Sequence, residues 1–199
     1  MSTVQIKCIA FDLGGVLVKV NLKLLQKLNA NTNLIQDAFF NKNDHHALSL
    51  GSITPDEYFA SIAKQLHVKE QEVQKVWGEC VTAHGFALKT LQNLTIPYVF
   101  WSNTDPVHFN TIRRQLNFND NTLCKSMFSF SDGLLKPDSA FFRRGISKLD
   151  LPAQSILYFD DKFQNIQAAQ ELGIHARPIS DSAQLLALLR PYLQKMTYV

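Results

Sequence analysis

Ile6-Lys7-Cys8-Ile9-Ala10-Phe11-Asp12-Leu13-Gly14-Gly15 begins as a short apolar run rich in β-forming residues and ends on a carboxylate followed by two glycines. The run predicts a buried strand. Three further runs have the same character: Ile96 to Trp101, with proline tolerated at its start, Ser155 to Phe159, and the shorter Met127 to Phe130. His175 to Ile179 suggests an edge strand. Helical patterns lie between these runs, so the expected fold is α/β, a doubly wound parallel sheet with helices on both faces and right-handed crossovers.

Each of the principal runs is followed by polar side chains. Asp12 follows the first, Ser102-Asn103 the second and Asp160-Asp161 the third, while Lys136-Pro137-Asp138 starts a helix. Open α/β sheets build their sites at the strand ends. Taken singly, each motif has an ordinary explanation. Asp12 could cap a turn, Ser102 or Thr104 a helix, Lys136 could lie on the surface, and the Asp160-Asp161 pair could be a solvated acidic turn. Their shared placement and complementary charge favour one centre. Asp12, Asp160 and Asp161 total −3 and a phosphate adds nearly −2. Mg²⁺ and Lys136 would supply +3. Two like charges 4 Å apart repel by about 4 kcal/mol at an effective dielectric of 20, so three carboxylates need such cations. One or two carboxylates, waters and a substrate phosphate suffice to hold Mg²⁺. An aspartate at Asp12 can attack phosphorus and form an acyl phosphate, while bare backbone at Gly14-Gly15 lets a phosphate or metal come close.

Residues 20–84 contain no comparable strand run. Leu22 to Leu28 is helical in pattern, Thr54-Pro55-Asp56-Glu57 offers a capping box with proline at the first helical position, and Tyr58, Phe59, Ile62, Ala63 and Leu66 form its apolar stripe. A second helix is expected over Lys69 to Thr82, with Val73, Val76, Trp77 and Cys80 on one face. A plain crossover needs only about a dozen residues, so this stretch reads as a helical cap domain (20–84) inserted in a core made of 1–19 and 85–199. The alternative is that these helices simply cover the sheet. Asn165 to Leu172, stopped by Gly173, and Ala183 to Leu189, interrupted at Arg190-Pro191, are further helices.

The 199 residues are 46% hydrophobic and 19% charged, with a net charge of +3 spread along the chain. That balance gives no reason to expect nucleic acid or an anionic membrane as partner. Cys8, Cys80 and Cys124 are odd in number and lack CxxC spacing, so they read as reduced thiols, without a zinc site. No apolar stretch approaches membrane-spanning length and the start carries no signal pattern. A cytoplasmic protein is expected.

With these residues in place, the chain resembles the haloacid dehalogenase superfamily of phosphohydrolases. Phe11-Asp12-Leu13-Gly14-Gly15-Val16-Leu17 resembles its first motif, Trp101-Ser102-Asn103 its second, Lys136-Pro137 its third, and Phe159-Asp160-Asp161 with Asn165 its fourth. The insert resembles that superfamily's C1 cap. The Phe-Asp-Leu-Gly start is similar to a group of bacterial sugar-phosphate phosphatases and to relatives of the N-terminal domain of soluble epoxide hydrolase. The resemblance implies a Rossmann-like core and a Mg²⁺-dependent phosphatase of a small phosphorylated metabolite, such as a sugar phosphate. Asp12 would be nucleophile and metal ligand, and the Gly14 carbonyl, Asp160 and Asp161 would complete the metal site. Leu13, Ser102, Asn103 and Lys136 would contact the substrate, with Ser102 and Lys136 also serving catalysis.

Gly14 departs from that pattern. Family phosphatases carry an aspartate there, whose carbonyl binds metal and whose side chain acts as general acid, then base. Glycine keeps the carbonyl and loses the acid, a loss of about 10²–10⁴-fold for a leaving group that must be protonated. Asp44, His45, His46 and His84 are candidate replacements. A second expectation is therefore a binding protein that has lost turnover. Dehalogenase chemistry is disfavoured because the acidic pair implies a metal, and phosphomutase chemistry because it depends on the missing side chain.

Overall fold

The computed structural model describes residues 5–194. In chain order the elements are β1 (Cys8–Phe11), β2 (Val18–Val20), a 3₁₀ turn (Leu22–Lys27), α1 (Thr32–Phe40), α2 (Lys42–Leu50), α3 (Pro55–Leu66), α4 (Glu70–Glu79), β3 (Val81–Ala83), α5 (Ala87–Gln92), β4 (Tyr98–Ser102), α6 (Pro106–Leu116), α7 (Asp120–Lys125), β5 (Met127–Phe128), α8 (Ser129–Asp132), α9 (Ser139–Leu149), β6 (Ile156–Asp160), α10 (Phe163–Glu171), β7 (His175–Pro178) and α11 (Ser182–Leu189).

Five strands form one sheet in the order β5-β4-β1-β6-β7. Every pairing within it is parallel. The central strands alternate their side chains between two hydrophobic layers, as the period-2 geometry of a strand requires. Ile9, Phe11, Phe100, Leu157 and Phe159 join one layer, and Cys8, Ala10, Val99, Trp101, Ile156 and Tyr158 the other. Burial on both faces explains why these strands read as continuous apolar runs. Cys8 and Cys80 are buried packing groups, and burial pushes their thiols up to about 12 and about 11.

The helices between β2 and β3 gather around a hydrophobic cluster of their own, from Leu25 to Cys80, centred on Phe39, Tyr58, Phe59 and Trp77. The capping box is formed: Thr54 Oγ1 accepts from Glu57 N, and Thr54 N donates to Glu57 Oε2 at 2.7 Å.

Three expectations need correction. The helix expected to run to Thr82 stops at Glu79, and Val81–Ala83 pairs antiparallel with Val18–Val20. Both short strands are too brief for a periodic signal, and their partner is 60 residues away in sequence. Phe130 lies in the short helix α8, so the strand at Met127 ends at Phe128, where the chain turns under the Asp132 carboxylate, which accepts from Phe128 N. Leu22–Lys27 is helical but coils as 3₁₀ rather than α.

Helix α9 lies directly on β4. A Cβ at Gly145 would stand 2.8 Å from the Trp101 indole carbons Cε2 and Cζ2, one residue before Ser102. Gly145→Ala should lower stability by about 1–3 kcal/mol through overpacking, a fall of about 2–4 °C in Tm per kcal/mol for a chain of this size. Thermal melts of the two proteins check it.

Candidate active site

The C-terminal ends of β1, β4 and β6 carry Asp12, Ser102 and Asp160 to one edge of the sheet. After β1 the chain folds tightly on itself. Leu13 O accepts from Leu17 N and Val18 N at 2.9 and 2.8 Å, which returns β2 over the strand end. Gly15 has φ +77°, and a Cβ there would lie 2.6 Å from Asp161 Cγ. Any side chain at Gly15 would therefore displace the Asp161 carboxylate, besides straining the backbone. At Gly14 a Cβ would meet only Val20 Cγ2, at 3.6 Å. Among protein neighbours, the steric need for glycine thus lies at Gly15 and not at Gly14.

Lys136 is the electrostatic centre. Its ammonium is buried and lies 3.0 Å from Asp12 Oδ1 and 2.7 Å from Asp160 Oδ2. It also donates to Trp101 O at 2.7 Å and to the Tyr158 hydroxyl at 2.9 Å. A buried charge is tolerated when paired and hydrogen-bonded in this way. Asn103 fixes the lysine's backbone from both sides: its Nδ2 donates to Lys136 O and its Oδ1 accepts from Lys136 N, each at 2.9 Å. The Asn103 side chain is therefore committed to the lysine loop, leaving its backbone to face a ligand. Ser102 is buried beside it, and among the described residues no protein group hydrogen-bonds its hydroxyl.

Asp12, Asp160 and Asp161 each offer a carboxylate oxygen, and these oxygens lie within 4.8 Å of one another. Three hard oxygen donors at that spacing fit a divalent cation such as Mg²⁺. The carboxylates differ in state. Burial pushes Asp12 up, and Asp160 adds to the rise, against the pull of Lys136. Burial also acts on Asp160, but Lys136, the Tyr158 hydroxyl and Lys162 N–H outweigh it and hold that carboxyl below its usual range. Asn165 Nδ2 reaches both Asp160 oxygens, at 3.0 and 2.9 Å. Asp160 is thus saturated by the protein and holds the negative charge of the coupled set. Asp161 is half-exposed, and burial followed by the Asp160 charge pushes it up. The group with the most open coordination is therefore Asp161.

Tyr158 was not among the expected site residues, although its position two residues before Asp160 places both on one face of β6. A second arrangement was also missed. Asp105 caps α6 by accepting from Val107 N and His108 N at 2.9 and 3.1 Å. Its other oxygen accepts from Trp77 Nε1 at 3.1 Å and pairs with His108 Nδ1 at 2.8 Å. His108 Nε2 contacts Trp77 O at 2.8 Å, and the two rings stack at 4.4 Å. This network ties α4 of the helical insert to α6 of the sheet layer, three residues after Ser102.

A cavity of about 1390 Å³ opens above the strand ends, lined by Asp12, Ser102, Lys136 and Asp161 on the sheet side. His45, His46 and His84 line it too, whereas Asp44 does not.

Residues 6–173 match the family of haloacid dehalogenase-like hydrolases, and the chain belongs to that family. The chain is 22% identical to the sesquiterpene phosphatase astK of Aspergillus oryzae over 92% of this chain and 95% of that protein. Among solved structures it resembles the HAD-family enzyme bt-2542 of Bacteroides thetaiotaomicron in complex with magnesium and inorganic phosphate. There the TM-score is 0.75 at 20% identity, covering 87% of this chain and 93% of that one. A HAD-like family hydrolase from Porphyromonas gingivalis superposes with a TM-score of 0.76 at 20% identity, over 94% of this chain and 98% of its own. These likenesses agree with the fold; the residues above stand on this chain's own geometry.

Two outcomes follow. Asp161 is pushed up in the folded state, so its ionised form opposes folding at neutral pH. Asp161→Asn should raise Tm in EDTA, and any rise in Tm that Mg²⁺ gives the native chain should be lost in the variant, as scanning fluorimetry would show. For Asp105, burial is outweighed by His108, the cap N–H groups and Trp77, so its carboxyl is held below the usual range. Its contribution to stability is complete above the unfolded value, about 3.9, and is lost as pH falls through the folded one. The urea-measured gap between native chain and Asp105→Asn should be about 1–3 kcal/mol at pH 6 and narrow towards pH 3.

Proposed function

We propose that this chain is a Mg²⁺-dependent phosphatase of a small phosphorylated metabolite, working through an aspartyl-phosphate intermediate. The observation that carries the proposal is the meeting of Asp12, Ser102, Lys136 and Asp161 at one strand-end cavity, with Asp160 buried against Lys136. The phosphatase named among its relatives and the magnesium and phosphate named in a structural neighbour support it.

In this proposal, Asp12 attacks phosphorus in line and the leaving group departs from the opposite side. Ser102 and the backbone N–H of Asn103 hold the phosphoryl oxygens, with Leu13 lining the approach. Lys136 offsets the charge of Asp12 and phosphate together, and Asp160, gripped by Tyr158 and Asn165, keeps the ammonium in place. Mg²⁺ would be held by Asp12, Asp161, the Gly14 carbonyl and Asp160, directly or through water. When bound, it polarises a phosphoryl oxygen and offsets the charge that accumulates there. Residues 20–84 form a C1-type cap over a core of 1–19 and 85–199, closing the cavity on its substrate.

Gly14 favours a second reading, a phosphometabolite-binding protein with little turnover. Phosphate-release assays over a panel of phosphometabolites with Mg²⁺ decide between them. Asp12→Asn should reduce release by at least about 10³-fold, in the range seen when a nucleophile is lost, and retention of most activity would refute the assignment. Covalent labelling of Asp12 in a single burst, without steady release, would establish the binding reading.

A further inference from the structure

Nothing steric requires glycine at Gly14. A Cβ fits there, and the backbone is not left-handed. What its absence removes is a proton donor. His108, His45 and His84 are poor substitutes, which leaves His46 as the one other imidazole lining the cavity among the described residues. His108 has both ring nitrogens engaged, by Asp105 and Trp77 O. Burial pushes His45 below the ordinary imidazole range, and burial with the Lys19 charge does the same to His84, so both favour the neutral form that has no acidic proton to give. An alkoxide, with a conjugate acid near the ~15.7 of water, leaves poorly from such a site. A phosphate monoester, whose second pKa is about 6, leaves without a proton.

From the helical insert, Leu22, Phe40, Leu50 and Trp77 give the cavity wall an uncharged apolar stretch beside His45, His46 and Ser49, and Val20 and Leu22 remain 51% and 42% exposed. Between Leu22 and Val81 no Lys, Arg, Asp or Glu lines the cavity among the described residues. Substrate hydroxyls set against Leu22, Phe40, Leu50 or Trp77 would stay unpaired, each at about 1–3 kcal/mol. Lys19 and Lys162 line the same cavity and have no carboxylate partner within 4.0 Å among the described residues.

We infer that the substrate is an organic diphosphate with an apolar body, and that the product is the corresponding monophosphate. This rests on the phosphatase reading above. The hydrocarbon lies against Leu22, Phe40, Leu50 and Trp77, the terminal phosphoryl group reaches Asp12, and Lys19 and Lys162 receive the inner phosphate. An Asp12 oxygen bonds to the terminal phosphorus as the bond to the bridging oxygen breaks. The electron pair stays on that oxygen, which departs as the organic monophosphate with no proton transferred. Water then adds to the aspartyl phosphate and the Asp12 carboxylate is restored. The water's protons pass to the released phosphate and to solvent.

The test uses the full chain with Mg²⁺ and four probes: decyl diphosphate, decyl monophosphate, glucose 6-phosphate and 4-nitrophenyl phosphate, with products followed by phosphorus NMR. Decyl diphosphate should be cleaved at least about 100-fold faster in kcat/KM than decyl monophosphate, the lower bound of what a general acid contributes, and decyl monophosphate should accumulate. Lys19→Met and Lys162→Met should each raise KM for decyl diphosphate about tenfold, and Gly14→Asp should raise turnover of decyl monophosphate. Equal or faster cleavage of glucose 6-phosphate or decyl monophosphate overturns the inference while leaving a phosphatase. Silence towards every probe, 4-nitrophenyl phosphate included, overturns the phosphatase reading and the inference together.

Discussion

The Lys136 ammonium lies between Asp12 and Asp160, at 3.0 and 2.7 Å, and the rest of the site is arranged around that contact. Three carboxylates at one strand edge repel one another, and burial raises the cost of each. A single buried cation tolerates two of them only if its position is fixed. Four contacts from three segments fix it: Trp101 O and the Asn103 side chain at the end of β4, the Tyr158 hydroxyl from β6, and Asn165 from α10 steadying Asp160. The outcome is an asymmetric set. Asp160 is pinned in its charged form, while Asp12 and Asp161 stay costly to ionise until a further cation or ligand arrives.

Much of this was legible because parallel strands buried on both faces leave a strong trace. The runs ending at Phe11, Trp101 and Phe159 are unbroken apolar segments, and the polar residue after each marks the edge where the sheet stops. Asp12, Ser102, Lys136, Asp160 and Asp161 could therefore be nominated without coordinates. What stayed hidden depends on pairings distant in sequence. The β2–β3 ribbon joins Val18–Val20 to Val81–Ala83, and neither three-residue strand can show a period. Asp105 looked like an ordinary helix cap, which it is. Nothing local says that its second oxygen meets Trp77 and His108. Asn103 was expected to face phosphate through its backbone, and nothing local says that its side chain serves the lysine loop.

The Asp105 network gives the helical insert a defined relation to the chemistry. Trp77 lies at the centre of the insert's aromatic cluster, stacked on Phe39 at 5.3 Å, and its indole N–H and carbonyl both reach the α6 start. A second contact lies across the cavity, where Gly51, at φ +69°, packs on the Phe130 backbone so closely that no Cβ fits. The insert is thus joined to the sheet layer at two points besides the β2–β3 connection. Closure over a ligand would have to keep or exchange those polar contacts, because leaving a buried carboxylate unpaired is more costly than never burying it.

Gly14 and Gly15 show how adjacent identical residues can answer to different constraints. Gly15 is a steric necessity, with a left-handed backbone and Asp161 where a side chain would begin. Gly14 has room for a side chain and an unstrained backbone, so its lack of one has a chemical meaning. With Asp12 read as nucleophile, a site that has a buried ammonium and an acidic cluster but no proton donor at Gly14 is suited to bonds whose leaving group is already stable as an anion. The apolar wall opposite then restricts what that leaving group can carry, because hydrocarbon against Leu22 and Phe40 gains from burial at about 25 cal/mol per Å², whereas unpaired hydroxyls there would lose. The same cavity therefore constrains the substrate from both ends, one by the chemistry of departure and the other by desolvation.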